Sequence, residues 1–61
     1  MTFTLKELRE CAEREVKLRE RVYPNRVTTG RMSADYAARQ IKMMEAIAER
    51  LRAEEQAELL V

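Results

Sequence analysis

Apolar residues in the first third of the chain recur at the spacing of one face of an α-helix. At 100° per residue they cover an arc of about 160°, and the period-two alternation of a strand is absent. Thr4, with Glu7 three residues later, forms a capping-box pattern at the start. We therefore predict a first helix over about residues 5–22. Its apolar positions are Leu5, Leu8, Cys11, Ala12, Val16, Leu18 and Val22.

A second apolar stripe of the same helical period follows Ser33. Ser33 is a favourable N-cap, and Asp35 in the first turn suits the helix dipole. The stripe predicts a long helix over about residues 34–58. After Leu51 it weakens, so residues 53–61 are expected to fray or to pack on another chain. The apolar positions of this helix are Tyr36, Ala37, Ile41, Met43, Met44, Ile47, Ala48 and Leu51.

The proline and the glycine of the chain both lie between the two helical patterns. Tyr23 precedes Pro24 and is therefore disfavoured in helical geometry, which predicts that the first helix ends there. Gly30 suits a left-handed cap. Residues 23–32 thus form a turn, either with a short helix of its own or as an irregular loop. The fold predicted is an all-α antiparallel helical hairpin.

A chain of 61 residues accommodates one domain, residues 1–61, and buries only about 60% of its unfolded surface. With one cysteine and no histidine, it is expected to hold no intrachain disulfide, metal or other cofactor. Without a disulfide or a metal, the additional stability of so small a chain is expected to come from a partner chain. We therefore predict a homodimer with a four-helix arrangement. The residues predicted to mediate this self-association are Leu8, Cys11, Glu15, Tyr36, Met43, Ile47 and Leu51.

Two charged residues, Glu15 and Arg19, fall inside the first apolar arc. They are four residues apart with the acid first, which is the favourable order for an ion pair on a helix. The pair either lies at the edge of the core, with its charged ends in water, or meets a second chain. The sequence leaves both alternatives open.

Charge is balanced overall, with 12 basic and 11 acidic residues, but it is distributed unevenly along the chain. Residues 17–31 carry five basic residues and one acid, whereas residues 45–58 carry five acids and two arginines. One interpretation is a corner that binds phosphate or an acidic partner. The other is ordinary solvated charge that also offsets the dipole of the first helix. The candidate partner-binding residues are Arg19, Arg21, Arg26 and Arg31.

Residue types that carry catalysis are scarce. There is no histidine and no glycine-rich phosphate loop, so we expect a protein that is not an enzyme. No run of 18 apolar residues predicts a membrane span, and the N-terminus lacks the pattern of a signal peptide. A lone cysteine is typical of a reducing compartment, so the expected location is the cytoplasm.

The middle of the chain, residues 14–47, carries a distinctive pattern of turn and helix residues. In one-letter code it reads V-Y-P-x-x-V-x-x-G-R-M over residues 22–32, followed by M-E-A-I over residues 44–47. This pattern resembles a family of small proteins of tailed phages and prophages. The resemblance implies a phage or prophage origin and a location in the bacterial cytoplasm. It implies no particular activity.

Two functions of different classes follow from these observations. The first is a small non-enzymatic protein-binding module of phage or prophage type, which modulates a host or phage protein. The alternative is an accessory nucleic-acid-binding protein that uses the arginine-rich corner of the hairpin.

Overall fold

The computed structural model describes residues 2–60 and shows two α-helices packed against each other as a hairpin. Helix α1 spans Leu5–Thr28 and helix α2 spans Ala34–Leu59. The hairpin is a rod of 47 × 18 × 17 Å. The predicted all-α hairpin is therefore confirmed.

Both helices begin at the residues whose side chains were expected to cap them. The backbone N–H of Glu7 donates to Thr4 Oγ1 over 3.1 Å, and the N–H of Thr4 donates back to Glu7 Oε1 over 3.0 Å. At the second helix, Ser33 Oγ accepts from the N–H of Tyr36 over 3.1 Å. Each cap satisfies donors that have no partner within the helix, which fixes where the helix starts.

The predicted end of the first helix at residue 22 is wrong, because α1 continues through Tyr23 and Pro24 to Thr28. Proline removes one helical hydrogen bond, to the carbonyl of Glu20. Glu20 and Pro24 are both exposed, so water can replace that bond. The separate short helix considered for residues 23–32 is consequently absent, and residues 24–28 form the last turn of α1.

The turn after α1 closes as a Schellman motif around Gly30. The N–H of Arg31 donates to the carbonyl of Arg26 over 2.9 Å, and the N–H of Gly30 donates to that of Val27 over 3.1 Å. Gly30 has a φ of +77°, the left-handed conformation that was predicted for it. The motif satisfies the last carbonyls of α1 and redirects the chain into α2.

Alanines form the most buried part of the contact between the helices. Ala12, Ala37 and Ala48 are the buried hydrophobic residues in the described part of the chain, and no large side chain there is fully buried. Small residues let two helices approach closely but bury little apolar surface. The longer apolar side chains therefore lie beside this alanine seam, partly open to solvent.

Helix α2 remains regular beyond Leu51, where its apolar stripe weakens. Glu55 is partly buried against Arg9 of α1, whereas Leu59 and Leu60 are among the most exposed apolar residues. Val61, the last residue of the predicted tail, lies outside the described residues. The tail thus begins as part of the hairpin and ends with apolar side chains in solvent.

Candidate protein-binding face and basic end

Two grooves between the helices differ in chemical character. One groove is mainly apolar and is lined by Leu8, Cys11, Ala12, Glu15, Met44, Ile47 and Leu51. The other is mainly charged and is lined by Glu13, Val16, Lys17, Glu20, Glu45, Ala48, Glu49 and Arg52. The hairpin therefore has one side suited to water and one side suited to another apolar surface.

The apolar side extends beyond the groove along both helices. Residues spaced by three, four or seven share one face of a helix, which places Leu18 in line with Leu8 and Cys11, and Tyr36 in line with Met43 and Ile47. Ile47 is 50% exposed and Tyr36 is 54% exposed. Exposed apolar stripes on both helices are the kind of surface that protein-interaction sites use. We call it the apolar face, defined as Leu8, Cys11, Leu18, Tyr36, Met43 and Ile47.

The structure brings most of the residues predicted for self-association together. Leu8, Cys11, Glu15, Ile47 and Leu51 line the same apolar groove. Tyr36 and Met43 lie outside it, on the outer stripe of α2. The Cys11 side chain is exposed, although it lies in the apolar arc of α1.

The reason for this exposure is the width of the apolar arcs. An arc of about 160° is wider than one partner helix can cover, and in a two-helix hairpin each helix has only one partner. The part of each arc that faces the other helix forms the seam, and the remainder becomes the apolar face.

Arg19 is held by its own chain. Its Nε donates to Glu15 Oε2 over 2.8 Å, and its Nη1 donates to the backbone carbonyl of Gln40 over 3.0 Å. The predicted ion pair within α1 is thus formed, and it also ties α1 to α2. Of the four candidate arginines, Arg19 is the least available to a partner.

Of the other candidate arginines, Arg26 lies in the last turn of α1 and Arg31 in the turn that follows, whereas Arg21 lies earlier in α1. The guanidinium carbon of Arg26 is 5.7 Å from the centre of the Tyr23 ring, and that of Arg19 is 5.9 Å from the same centre. Within residues 2–60, Arg21, Arg26 and Arg31 are exposed and make no ion pair, so their charges face solvent in the half of the rod that contains the turn.

The opposite half of the rod holds a chain of ion pairs that the sequence pattern did not predict. Arg9 bridges Glu13 of its own helix, over 3.0 Å, and Glu55 of α2. Glu13 in turn binds Arg52 of α2 over 2.7 Å, and Arg52 binds Glu49 over 2.7 Å. The i, i+4 spacing of Arg9 and Glu13 was visible in the sequence. The links across the hairpin depend on the register of the helices and were not.

These pairs shift the protonation of their members. The hydrogen bond from Arg52 lowers the pKa of Glu13, and the one to Glu55 raises the pKa of Arg9. At the start of α1, the hydrogen bond from the backbone N–H of Thr4 lowers the pKa of Glu7. Each shift favours the charged form and so links these contacts to pH.

Residues 2–60 contain no cluster of three His, Cys, Asp or Glu side chains that could hold a metal ion. Neither α1 nor α2 has the length and apolar character needed to cross a membrane.

Comparisons with known proteins give no match: no protein-family model, curated protein or solved structure is similar to the chain. The resemblance to small phage and prophage proteins therefore stays a prediction. Any functional proposal depends on the geometry of the hairpin itself.

Proposed function

We propose that the chain is a small non-enzymatic protein-binding module of phage or prophage type, and that the apolar face is its binding surface. The observation that carries this proposal is the exposure of aligned large apolar residues beside a mostly apolar groove. The other groove is lined mainly by charged residues and offers no comparable surface. A partner helix or helical pair could lie in the apolar groove, as amphipathic helices do in other hydrophobic grooves.

Binding through this face would remove several apolar side chains from water. Met43 is 44% exposed and Ile47 is 50% exposed. Much of the apolar surface of both side chains is therefore still available for burial by a partner. Apolar burial contributes about 25 cal/mol per Å². An interface centred on these residues would also stabilise the hairpin, whose own seam is made of alanine.

The proposal is tested by capture of proteins from a bacterial lysate on the immobilised chain, with nuclease present. Ile47→Glu places a charge in the apolar face, whereas Ala46→Glu places the same charge on the adjacent exposed position. We expect bound protein to be lost with Ile47→Glu and retained with Ala46→Glu. Circular dichroism of both variants verifies that the helices are intact. Equal capture by both variants would contradict a role for the apolar face.

The second candidate function is nucleic-acid binding at the turn. It is favoured by Arg21 and Arg31, which are exposed and make no ion pair within residues 2–60, and by Arg26 beside the Tyr23 ring. Such contacts to phosphates release counterions, so affinity would fall steeply with salt. The test is fluorescence anisotropy with short labelled DNA and RNA at low and high salt. Binding that is weakened by Arg26→Gln and Arg31→Gln supports this function, and absence of binding at low salt excludes it.

A further inference from the structure

The surface area of the hairpin is larger than a chain of its size requires. Its accessible surface is 4931 Å², whereas the scaling for compact monomers gives about 4,100 Å² for 7.2 kDa. The excess of about 800 Å² equals the area that each partner contributes to a standard protein–protein interface. The excess follows from the elongated shape of the rod, and side-by-side packing of two rods would remove surface of this amount along the apolar face.

The charges of the hairpin are segregated along the same long axis. We call residues 17–46 the loop half, and residues 2–16 with 47–60 the open half. The loop half has seven basic residues and three acids, a net charge of +4. The open half has five basic residues and eight acids, a net charge of −3. These two values add to the overall charge of +1.

This charge pattern favours one orientation of two copies packed by their apolar faces. If the two loop halves lie together, positive charge meets positive charge and negative meets negative. If the second copy is turned end to end, each loop half lies against the open half of the other copy. Complementary potentials of this kind select orientation and partner.

We infer that the apolar face binds a second copy of this chain in antiparallel orientation, related by a two-fold axis perpendicular to the long axis of the rod. The inference rests on the proposed function of the apolar face and names its partner. The product is a four-helix arrangement in which α1 lies along α1 of the partner and α2 lies along α2 of the partner.

The position of the two-fold axis follows from the helix midpoints. Ile47 lies at the middle of Ala34–Leu59, and it lines the apolar groove together with Glu15, near the middle of α1. With full overlap of the two rods, Ile47 lies next to its own copy. In the parallel orientation Ile47 faces the region of Glu15 of the other chain instead.

The first test compares two variants of equal net charge. One neutralises exposed cations of the loop half, Arg21→Gln, Arg31→Gln and Arg39→Gln. The other neutralises exposed cations of the open half, Lys6→Gln, Arg14→Gln and Arg50→Gln. All six positions are exposed and make no ion pair within the described chain. The dimer dissociation constant is measured by sedimentation equilibrium.

The antiparallel orientation requires opposite responses from the two variants. Loss of loop-half cations weakens attraction to the partner's acidic half, and we expect Kd to rise about tenfold at about 0.01 M salt, where the Debye length is about 30 Å. Loss of open-half cations leaves Kd equal or lower. The difference should nearly vanish at about 1 M salt, where screening acts within about 3 Å. The reverse order of Kd values would show the parallel orientation and overturn the inference.

The second test reads the orientation directly. Ile47→Cys in a Cys11→Ala background is expected to form a disulfide-linked dimer on mild oxidation, because the two thiols lie near the axis. Absence of that disulfide in a chain that still dimerises would overturn the antiparallel arrangement.

Failure of this inference can be told from failure of the proposed function. A wild-type chain that stays monomeric at high micromolar concentration excludes the second copy as partner. If the monomeric chain captures another protein from the lysate and Ile47→Glu abolishes that capture, the apolar face remains a binding surface for that protein. If Ile47→Glu leaves the capture unchanged, both proposals fall.

Discussion

The two halves of the hairpin are held together by different means. In the open half, a chain of ion pairs links the helices through Arg9, Glu13 and Arg52. In the loop half, the chain itself joins the helices through the Schellman turn, and Arg19 donates to a backbone carbonyl of α2. The remaining cations of the loop half face solvent. Side-chain ion pairs between the helices are thus concentrated in the half where no turn joins the helices.

The alanine seam runs through both halves, and enlarging it should have the largest effect. Ala48→Leu in the open half and Ala37→Leu in the loop half both place a larger side chain between the helices, at a cost of about 1–3 kcal/mol each. We expect Ala48→Leu to lower the free energy of unfolding more than Ala37→Leu, because separating the helices near Ala48 also strains the ion pairs of Glu13 and Arg9. Urea unfolding followed by circular dichroism, at one fixed chain concentration, measures both.

Each seam variant has a control in the same helix. Ala46→Leu and Ala38→Leu add the same side chain at exposed positions and should leave the unfolding midpoint nearly unchanged. Equal midpoints for the buried and exposed variants would show that the seam is not tightly packed.

The next largest effect is expected at the turn, which belongs to the loop half alone. Gly30→Ala forces an L residue into φ +77°, which costs about 1 kcal/mol. Apart from Gly30 and its two chain neighbours, no atom lies within 4 Å of the added methyl group, so the cost arises from the local backbone conformation and not from a clash with packed side chains. A chemically synthesised chain with D-alanine at the same position should instead be slightly stabilised, because D residues favour positive φ. Destabilisation by both enantiomers would refute this explanation.

A smaller effect is expected from the ion pairs of the open half. Arg9→Gln removes the bridges to Glu13 and Glu55, whereas Arg14→Gln removes an exposed charge with no ion pair in the described chain. We expect a modest fall of the thermal midpoint with Arg9→Gln, reduced at high salt because exposed pairs are screened. Arg14→Gln serves as the charge-matched control. Identical melting of the two variants at low salt would show that the pairs add nothing to stability.

The smallest effect should appear on acidification. Glu13 and Glu7 have pKa values lowered in the folded chain, so the stability they confer is present above the unfolded pKa, near 4.5. That stability is lost as pH falls through the folded value. The thermal midpoint should fall between neutral and acid pH, and this fall should be smaller in the Glu13→Gln variant than in the wild type. Stability that does not change on acidification would contradict the lowered values.

Local signals in the sequence were sufficient for much of the fold. Thr4, Ser33 and Gly30 act on backbone groups within a few residues, so their roles could be predicted without tertiary information. The end of α1 was predicted wrongly because the proline penalty was given too much weight. That penalty affects one exposed hydrogen bond, and the threonines of the last turn add others: Thr28 Oγ1 donates to the carbonyl of Pro24 over 3.0 Å.

The candidate site was predictable only in part. The periodicity identified Met43 and Ile47 as apolar-face residues, but it could not say which side of a wide arc would meet the other helix. The bridge from Arg9 to Glu55 joins residues that are 46 positions apart, and its partner choice depends on helix register. Which surfaces remain exposed is a property of the packed pair.

The alanine seam also has a mechanical consequence for the hairpin. Methyl groups form low ridges, so two helices in contact through alanine meet little steric resistance to sliding past one another along their axes. Directional contacts help to fix their alignment: Arg9 with Glu55, Glu13 with Arg52, and Arg19 with the carbonyl of Gln40. Hydrogen bonds between the helices thus contribute to their axial alignment, whereas the alanine seam mainly sets how close the helices come.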